Sequence, residues 1–259
     1  MAPTNNKPGI LLTNDDGVHA EGLETLRVAL ADLGPVTVVA PREHMSATSH
    51  SISLYTPVRY EQVEPGRYAV HGTPVDAVVL ALNHILPRKP ALLVSGINQG
   101  GNLGQNVFYS GTVAAAVEGT FHGIPSVAIS LAALRGASFE PAARFMRKLA
   151  AAILEHGLPA GVTLSVNVPY LRNPRGVKLT HRAHLQARAY VLEEAHASDG
   201  SGYWIRERVE MEKIGEDSDH AAIRQGLISI TPLTFDHPAA PSLGALESWI
   251  QSFQSILTR

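Results

Sequence analysis

The chain contains no cysteine. That removes disulfide frameworks, thiolate zinc centres, iron–sulfur clusters and cysteine nucleophiles together, and leaves any metal to oxygen or imidazole donors. Charge is also scarce. Charged side chains make up 17% of the sequence, and 21 basic against 23 acidic residues leave a net charge of −2, so there is no electrostatic footprint for a nucleic-acid polymer or an anionic membrane. No apolar run reaches the roughly 18 residues of a membrane span. The first eight residues are polar and lead into only a short apolar stretch, unlike a signal peptide. A soluble, cytoplasmic protein is expected. Against these absences stand 259 residues of which 45% are apolar, enough for one large domain with a substantial core.

Residues 1–169 alternate between two patterns. Short β-rich runs at 9–14, 36–41, 91–96, 126–131 and 163–169 are mostly apolar on both faces, as a sheet covered on each side requires. Between them lie helical patterns. Leu23, Leu26, Leu30 and Leu33 recur at helical spacing before Gly34-Pro35, and Thr73-Pro74 reads as the N-cap and first residue of a helix over 75–86. Further helices are expected over 112–122 and 140–156. The alternation predicts an α/β fold, a doubly wound and mainly parallel sheet, with ligands bound beyond the carboxyl ends of its strands.

The composition then changes. Residues 170–226 hold 18 of the 44 charged side chains, and Gly200-Ser201-Gly202 lies between strand-like segments at 187–192 and 203–211, which reads as a long hairpin. Carrying Tyr190, Tyr203 and Trp204, this arm would expose aromatic surface and open edges unless another subunit covers it; a charged flap on its own domain is the other reading. A final strand at 227–233 precedes an amphipathic helix with Leu243, Leu246, Ile250, Phe253 and Leu257 on one stripe. The expected organisation is a single domain with a core at 1–169, an arm at 170–226 and a closing strand and helix at 227–259.

Three segments at strand ends carry chemistry. Thr13-Asn14-Asp15-Asp16-Gly17 places two carboxylates side by side, an arrangement that repels itself unless a cation is present and that suits Mg²⁺ or Mn²⁺; it also reads as an Asx turn with a helix cap. The loop from Arg42 to Ser51 is rich in hydroxyls, and a serine there is a neutral donor for a metal or a phosphate, or simply part of a polar connection. Ser95 to Thr112 contains five glycines and three asparagines and ends in Ser110-Gly111-Thr112 at the start of a helix, a natural phosphate cradle or a well-capped connection. It lacks the Walker lysine and the G-x-G-x-x-G spacing. A cation site beside an anion cradle is what phosphoester hydrolysis needs. The 12 histidines form no HExxH pair. His181 and His184 fall on opposite faces of a strand-like segment, and His44 and His50 read as solvated loop residues that face substrate only if their loop does. No G-x-S-x-G elbow supports a Ser–His–Asp hydrolase.

Taken together, ILLTNDDGVHAEGL from Ile10, VVAPREHMSATSHSIS from Val38, GTPVDAV from Gly72 and VSGINQGGNLGQNVFYSGTVAAAVEG from Val94 resemble the SurE family, with weaker traces at Asn167-Val168-Pro169 and in DHAAIRQGLISITPL from Asp219. The resemblance implies a Rossmann-like α/β/α sandwich with a hairpin arm and C-terminal helix used in homodimer or homotetramer contacts. It implies a 5′-nucleotidase, with 3′-nucleotidase or exopolyphosphatase activity in some members. One Mg²⁺ or Mn²⁺ per subunit would sit on Asp15, Asp16, Ser46 and Asn98, with Asp15, Asp16 and Asn98 as the catalytic set, and a water it activates would attack phosphorus. Asn102, Ser110, Gly111 and Thr112 would hold the phosphate of a small nucleotide substrate. A non-catalytic nucleotide-binding module that keeps the pocket is the alternative. Two positions depart from the family pattern: Arg42 stands where aspartate is usual, adding positive charge near an anionic substrate, and Ala47 follows the ligand serine where glycine is usual, which would shift the loop if that position needs a positive φ.

Overall fold

The computed structural model describes residues 8–133, 136–183, 187–194, 202–209 and 214–234. The chain runs β1 (Ile10–Thr13), α1 (Glu21–Leu30), β2 (Val36–Pro41), β3 (Arg59–Glu64), β4 (Arg67–His71), α2 (Pro74–Leu80), β5 (Leu92–Gln99), α3 (Gly111–Phe121), β6 (Ser126–Ala132), α4 (Glu140–His156), β7 (Val162–Pro169), β8 (Val177–Leu179), β9 (Ala187–Glu194), β10 (Gly202–Val209), α5 (Asp219–Arg224) and β11 (Ile228–Thr234). Nine strands form one sheet in the order β3-β4-β2-β1-β5-β6-β7-β11-β8. Its pairs are parallel except β3 with β4 and β7 with β11.

Alternation along the strands divides the core in two. Ile10 and Leu12, Leu92 and Val94, and Val127 and Ile129 face α1 and α4, which contribute Leu23, Leu26, Leu30, Met146 and Ile153. Leu11, Leu93 and Ala128 face α2 and α3. The result is the expected α/β/α sandwich. α3 is buried along nearly its whole length, and its small side chains let it lie close to the sheet: a Cβ on Gly119 would stand 2.7 Å from Leu93 Cδ1.

The chain leaves β1 towards β2 and β4 on one side and returns to β5 on the other, so the topology reverses between β1 and β5. Adjacent loops diverge there and open a crevice at the carboxyl ends of the two strands. Asp15-Asp16 follows β1, and Asn98 lies in the last turn-ward residues of β5. The strand runs three residues beyond the expected end at Gly96, which puts Asn98 on the sheet rather than in a loop.

Behind the crevice Arg67, 7% exposed, pairs with Glu24 of α1 and donates to the Val18 carbonyl at 3.1 Å. Hydrogen bonds from Arg27 first, and from Arg67 with it, hold the Glu24 carboxyl down from 4.5 to about 2. A depressed carboxylate stabilises the fold above its unfolded pKa and loses that contribution as pH falls through the folded one. Glu24→Gln is therefore expected to melt below the unsubstituted chain at neutral pH, with the gap closing between pH 4.5 and about 2 in thermal melts across that range.

β3 and β4 were not expected from the sequence: Arg59–Glu64 is almost wholly exposed and polar and pairs only along the sheet edge. The helix expected over 75–86 keeps its Thr73 capping box but passes at Ala81–Ile85 into a wider π-helical turn. Of residues 170–226, β8 and α5 lie with the main sheet, and β9 and β10 form a separate antiparallel ribbon in which Gly202 faces Glu194. Tyr203 and Ile205 on that ribbon are exposed. The side chains of Tyr190 and Trp204, the residues Gly200 and Ser201, and the amphipathic segment from Leu243 to Leu257 lie outside what the structure describes. Among the described residues no helix is long and apolar enough to cross a membrane.

Candidate active site

The turn after β1 is made by Asn14. Its side-chain amide donates to the Gly17 carbonyl at 3.0 Å, and its Oδ1 accepts from the Gly17 amide at 3.2 Å. The turn is closed by Asn14 on Gly17 three residues on, so both aspartates are released from that task, and the helix cap expected here is absent because α1 starts after Ala20 with no side-chain cap. Asp15 is 3% exposed. Its carboxylate accepts the Thr112 hydroxyl, while its backbone carbonyl accepts from Met45 N at 2.7 Å. Asp16 reaches the Gln99 amide and lies 3.3 Å from His44 Nδ1. Burial raises the pKa of both carboxyls; hydrogen bonds from Thr112 partly offset this at Asp15, and the negative charge of Asp15 adds to it at Asp16. The pair is thus short of positive charge.

Asp15, Ser46, Asn98, Asn102 and Ser110 line one cleft of about 410 Å³, together with Ala47, Gln99, Asn106 and Tyr109. Asn98 donates its amide to the Gly100 carbonyl at 2.9 Å, which leaves Oδ1 as its acceptor. Among the described residues no three His, Asp or Glu side chains gather into a metal-holding group, so a cation here depends on the hydroxyl and the amide as well as the carboxylates. Four oxygen donors with two negative charges match a hard divalent ion. The residues fit the ion that the resemblance implies.

The Ser110-Gly111-Thr112 segment divides its work. Ser110 caps α3, accepting from Val113 N at 3.1 Å, and borders the cleft. Gly111 packs over the acidic pair, where a Cβ would stand 2.9 Å from Asp15 Cβ and 3.1 Å from its Oδ2. Thr112 is fully buried and turned to Asp15. Of the four residues expected at the phosphate, Gly111 lies against Asp15 and Thr112 hydrogen-bonds it.

Several supporting residues were not singled out from the sequence. Asn167 exchanges hydrogen bonds with the Asn102 backbone at 2.8 and 3.1 Å, and Ser130 accepts from the Asn102 side chain at 2.8 Å. Asp219, 1% exposed, accepts from the amides of Gly104 at 2.8 Å, Ala183 at 3.1 Å and His220 at 2.7 Å. The available signal for Asn167 and Asp219 was their place in the two weaker traces of the resemblance. Of the two loop histidines, His50 pairs with Glu118 at 2.8 Å, and His44 lies between Asp16 and Ser46.

Both departures from the family pattern have a structural reading. Arg42 is paired with Glu61 of β3 and lies 3.7 Å from Glu43, and it does not border the cleft. Ala47 has φ 58°, so that position does require the left-handed conformation that glycine adopts freely. Ala47→Gly is expected to stabilise the protein by about 0.5–1 kcal/mol, the left-handed cost less the added unfolded-state entropy, read as a higher denaturant midpoint.

Comparison with known proteins agrees with this fold. The family model described as "Survival protein SurE" matches residues 10–189. A 5′-nucleotidase SurE of Chlorobium phaeobacteroides is 41% identical over 249 residues, spanning 94% of this chain and 96% of the relative. One from Aeromonas hydrophila is 43% identical, spanning 93% and 98%. The crystal structure of the SurE protein from Aquifex aeolicus superposes with a TM-score of 0.82 at 36% identity, covering 93% of this chain and all of that one. With the fold, the strand-end motifs and near-full-length relatives in agreement, the chain belongs to the SurE family.

Proposed function

We propose that this chain is a divalent-metal-dependent 5′-nucleotidase that hydrolyses nucleoside monophosphates to nucleoside and phosphate, with 3′-nucleotidase or exopolyphosphatase activity as further reach of the same site. The observation that carries the reading is buried Asp15 brought beside Ser46 and Asn98 at one cleft, with Asn102 and Ser110 on its wall and the partly exposed Asp16 joined to Ser46 through His44. Relatives of near-full-length identity named as 5′-nucleotidases support it.

Asp15, Asp16, Ser46 and Asn98 would hold one Mg²⁺ or Mn²⁺ per subunit. Bound there, the ion supplies Lewis-acid polarisation of a phosphoryl oxygen and a lowered pKa for water. Thr112 fixes the Asp15 carboxylate through its hydroxyl. Asn102, locked by Asn167 and Ser130, and Ser110 at the start of α3 face the remaining phosphoryl oxygens, where the helix end favours negative charge. The test is phosphate release from AMP, GMP and an aryl phosphate with Mn²⁺, Mg²⁺ or EDTA. Release that depends on the metal is expected; no turnover with any ion, alongside measurable nucleotide binding, would leave a binding module instead.

The β9–β10 ribbon serves a homodimer or homotetramer in this reading, supported by the exposed Tyr203 and Ile205 on an isolated two-stranded sheet, which is marginal in water by itself. Deleting residues 186–214 is expected to reduce the molecular mass seen by light scattering to that of a smaller assembly. An unchanged mass would sink the assignment.

A further inference from the structure

His44 touches two of the four donors assigned above. Its Nδ1 lies 3.3 Å from Asp16 Oδ1, and its Nε2 lies 2.7 Å from Ser46 Oγ. Between them in sequence, Met45 N donates to the Asp15 carbonyl at 2.7 Å. Two consecutive residues of the second strand-end loop thereby touch the aspartate turn directly, and Ser46 is joined to it through His44.

A serine hydroxyl is the weakest donor of the set: neutral, free to rotate, here on an exposed loop followed by Ala47 at positive φ. Its usefulness to a cation depends on where its proton points, because a proton directed at the ion blocks the lone pairs. An imidazole that carries its proton on Nδ1 faces the Asp16 carboxylate 3.3 Å away and leaves Nε2 to accept the Ser46 proton. The partner of one ring nitrogen sets the tautomer at the other.

We propose that His44 is a positioning residue of the cation site, which orients the Ser46 hydroxyl by accepting its proton in a hydrogen bond and ties Ser46 to Asp16, so that the serine lone pairs are presented to the ion. This rests on the cation reading of the cleft. His44 is not a ligand in this arrangement, because both ring nitrogens are already engaged. Nor does the Asp16–His44–Ser46 chain make Ser46 a nucleophile.

Mn²⁺ titration of the full chain, followed by the electron paramagnetic resonance of free Mn²⁺, tests this without reference to turnover. His44→Phe, which keeps the ring and removes both nitrogens, is expected to weaken Mn²⁺ binding about tenfold, the size of effect usual for a group that orients a ligand. In a Ser46→Ala background the same substitution is expected to add almost nothing, since its effect passes through the hydroxyl. Unchanged Mn²⁺ affinity in His44→Phe would overturn the proposal while leaving the cation site intact. So would a full additive loss in the Ser46→Ala background, or a directly coupled nitrogen in pulsed spectra of bound Mn²⁺ that vanishes with His44. An unsubstituted chain that binds no Mn²⁺ would overturn the cation reading itself, and this inference with it.

Discussion

Asp15→Asn is expected to lower metal-dependent phosphate release by about three orders of magnitude, with charge lost where the transition state most needs it. The substitution keeps the shape of the side chain. Asparagine retains an oxygen for the Thr112 hydroxyl, and the backbone contact with Met45 is untouched. What disappears is one negative charge, buried at 3% exposure beside a second. Folding and function are therefore expected to move in opposite directions. Without metal, Asp15→Asn should melt higher than the unsubstituted chain, because a buried like-charge repulsion is gone. With Mn²⁺ present, the unsubstituted chain should gain melting temperature and the variant little. Phosphate release that survives the substitution would remove Asp15 from the site, and a fall in activity accompanied by a lower metal-free melting temperature would make its role structural.

Gly22→Ala is expected to cost about 3 kcal/mol or more. A Cβ at this second residue of α1 would stand 2.2 Å from the Ile97 carbonyl oxygen and 3.2 Å from the Phe139 ring. A strand backbone in the middle of the sheet cannot yield as a side-chain tip can. At about 2–4 °C per kcal/mol for a chain of this size, the melting temperature should fall by about 6–12 °C. Ile97 immediately precedes Asn98, so pushing α1 off β5 also displaces a proposed ligand. A shift of about 1 Å at such a position costs roughly a hundredfold in rate. Gly9→Ala is the control, since nothing lies within 4 Å of its built Cβ, and it should leave melting temperature and turnover within error.

The central strands were legible because they are buried on both faces and so read as unbroken apolar runs. β2 begins and ends where its pattern does. The sheet edge was not: Arg59–Glu64 pairs through its backbone while its side chains remain in water, so no alternation marks it. The site was legible where residue type announces the chemistry. An adjacent acidic pair and a glycine- and asparagine-rich run are unusual compositions, and both lie at the cleft. What the sequence withheld was direction. Whether Thr112 faces a phosphate or Asp15 depends on how α3 seats against β1, and that depends on Gly111 admitting the Asp15 side chain beneath it. His44 was equally hidden, because a lone loop histidine acquires a role only from neighbours 28 residues away and two residues away at once.

Asp219 gathers three amides from three parts of the chain: the glycine-rich loop at Gly104, the stretch leading to the ribbon at Ala183, and the start of α5. One carboxylate thus serves as a common hinge pin. Removing the side chain strands the Gly104 and Ala183 amides in a single step, each at about 1–3 kcal/mol, and unfastens the glycine-rich loop from a position 115 residues away in sequence. One side chain thus holds both the loop that runs on from Asn102 and the stretch that leads to the ribbon.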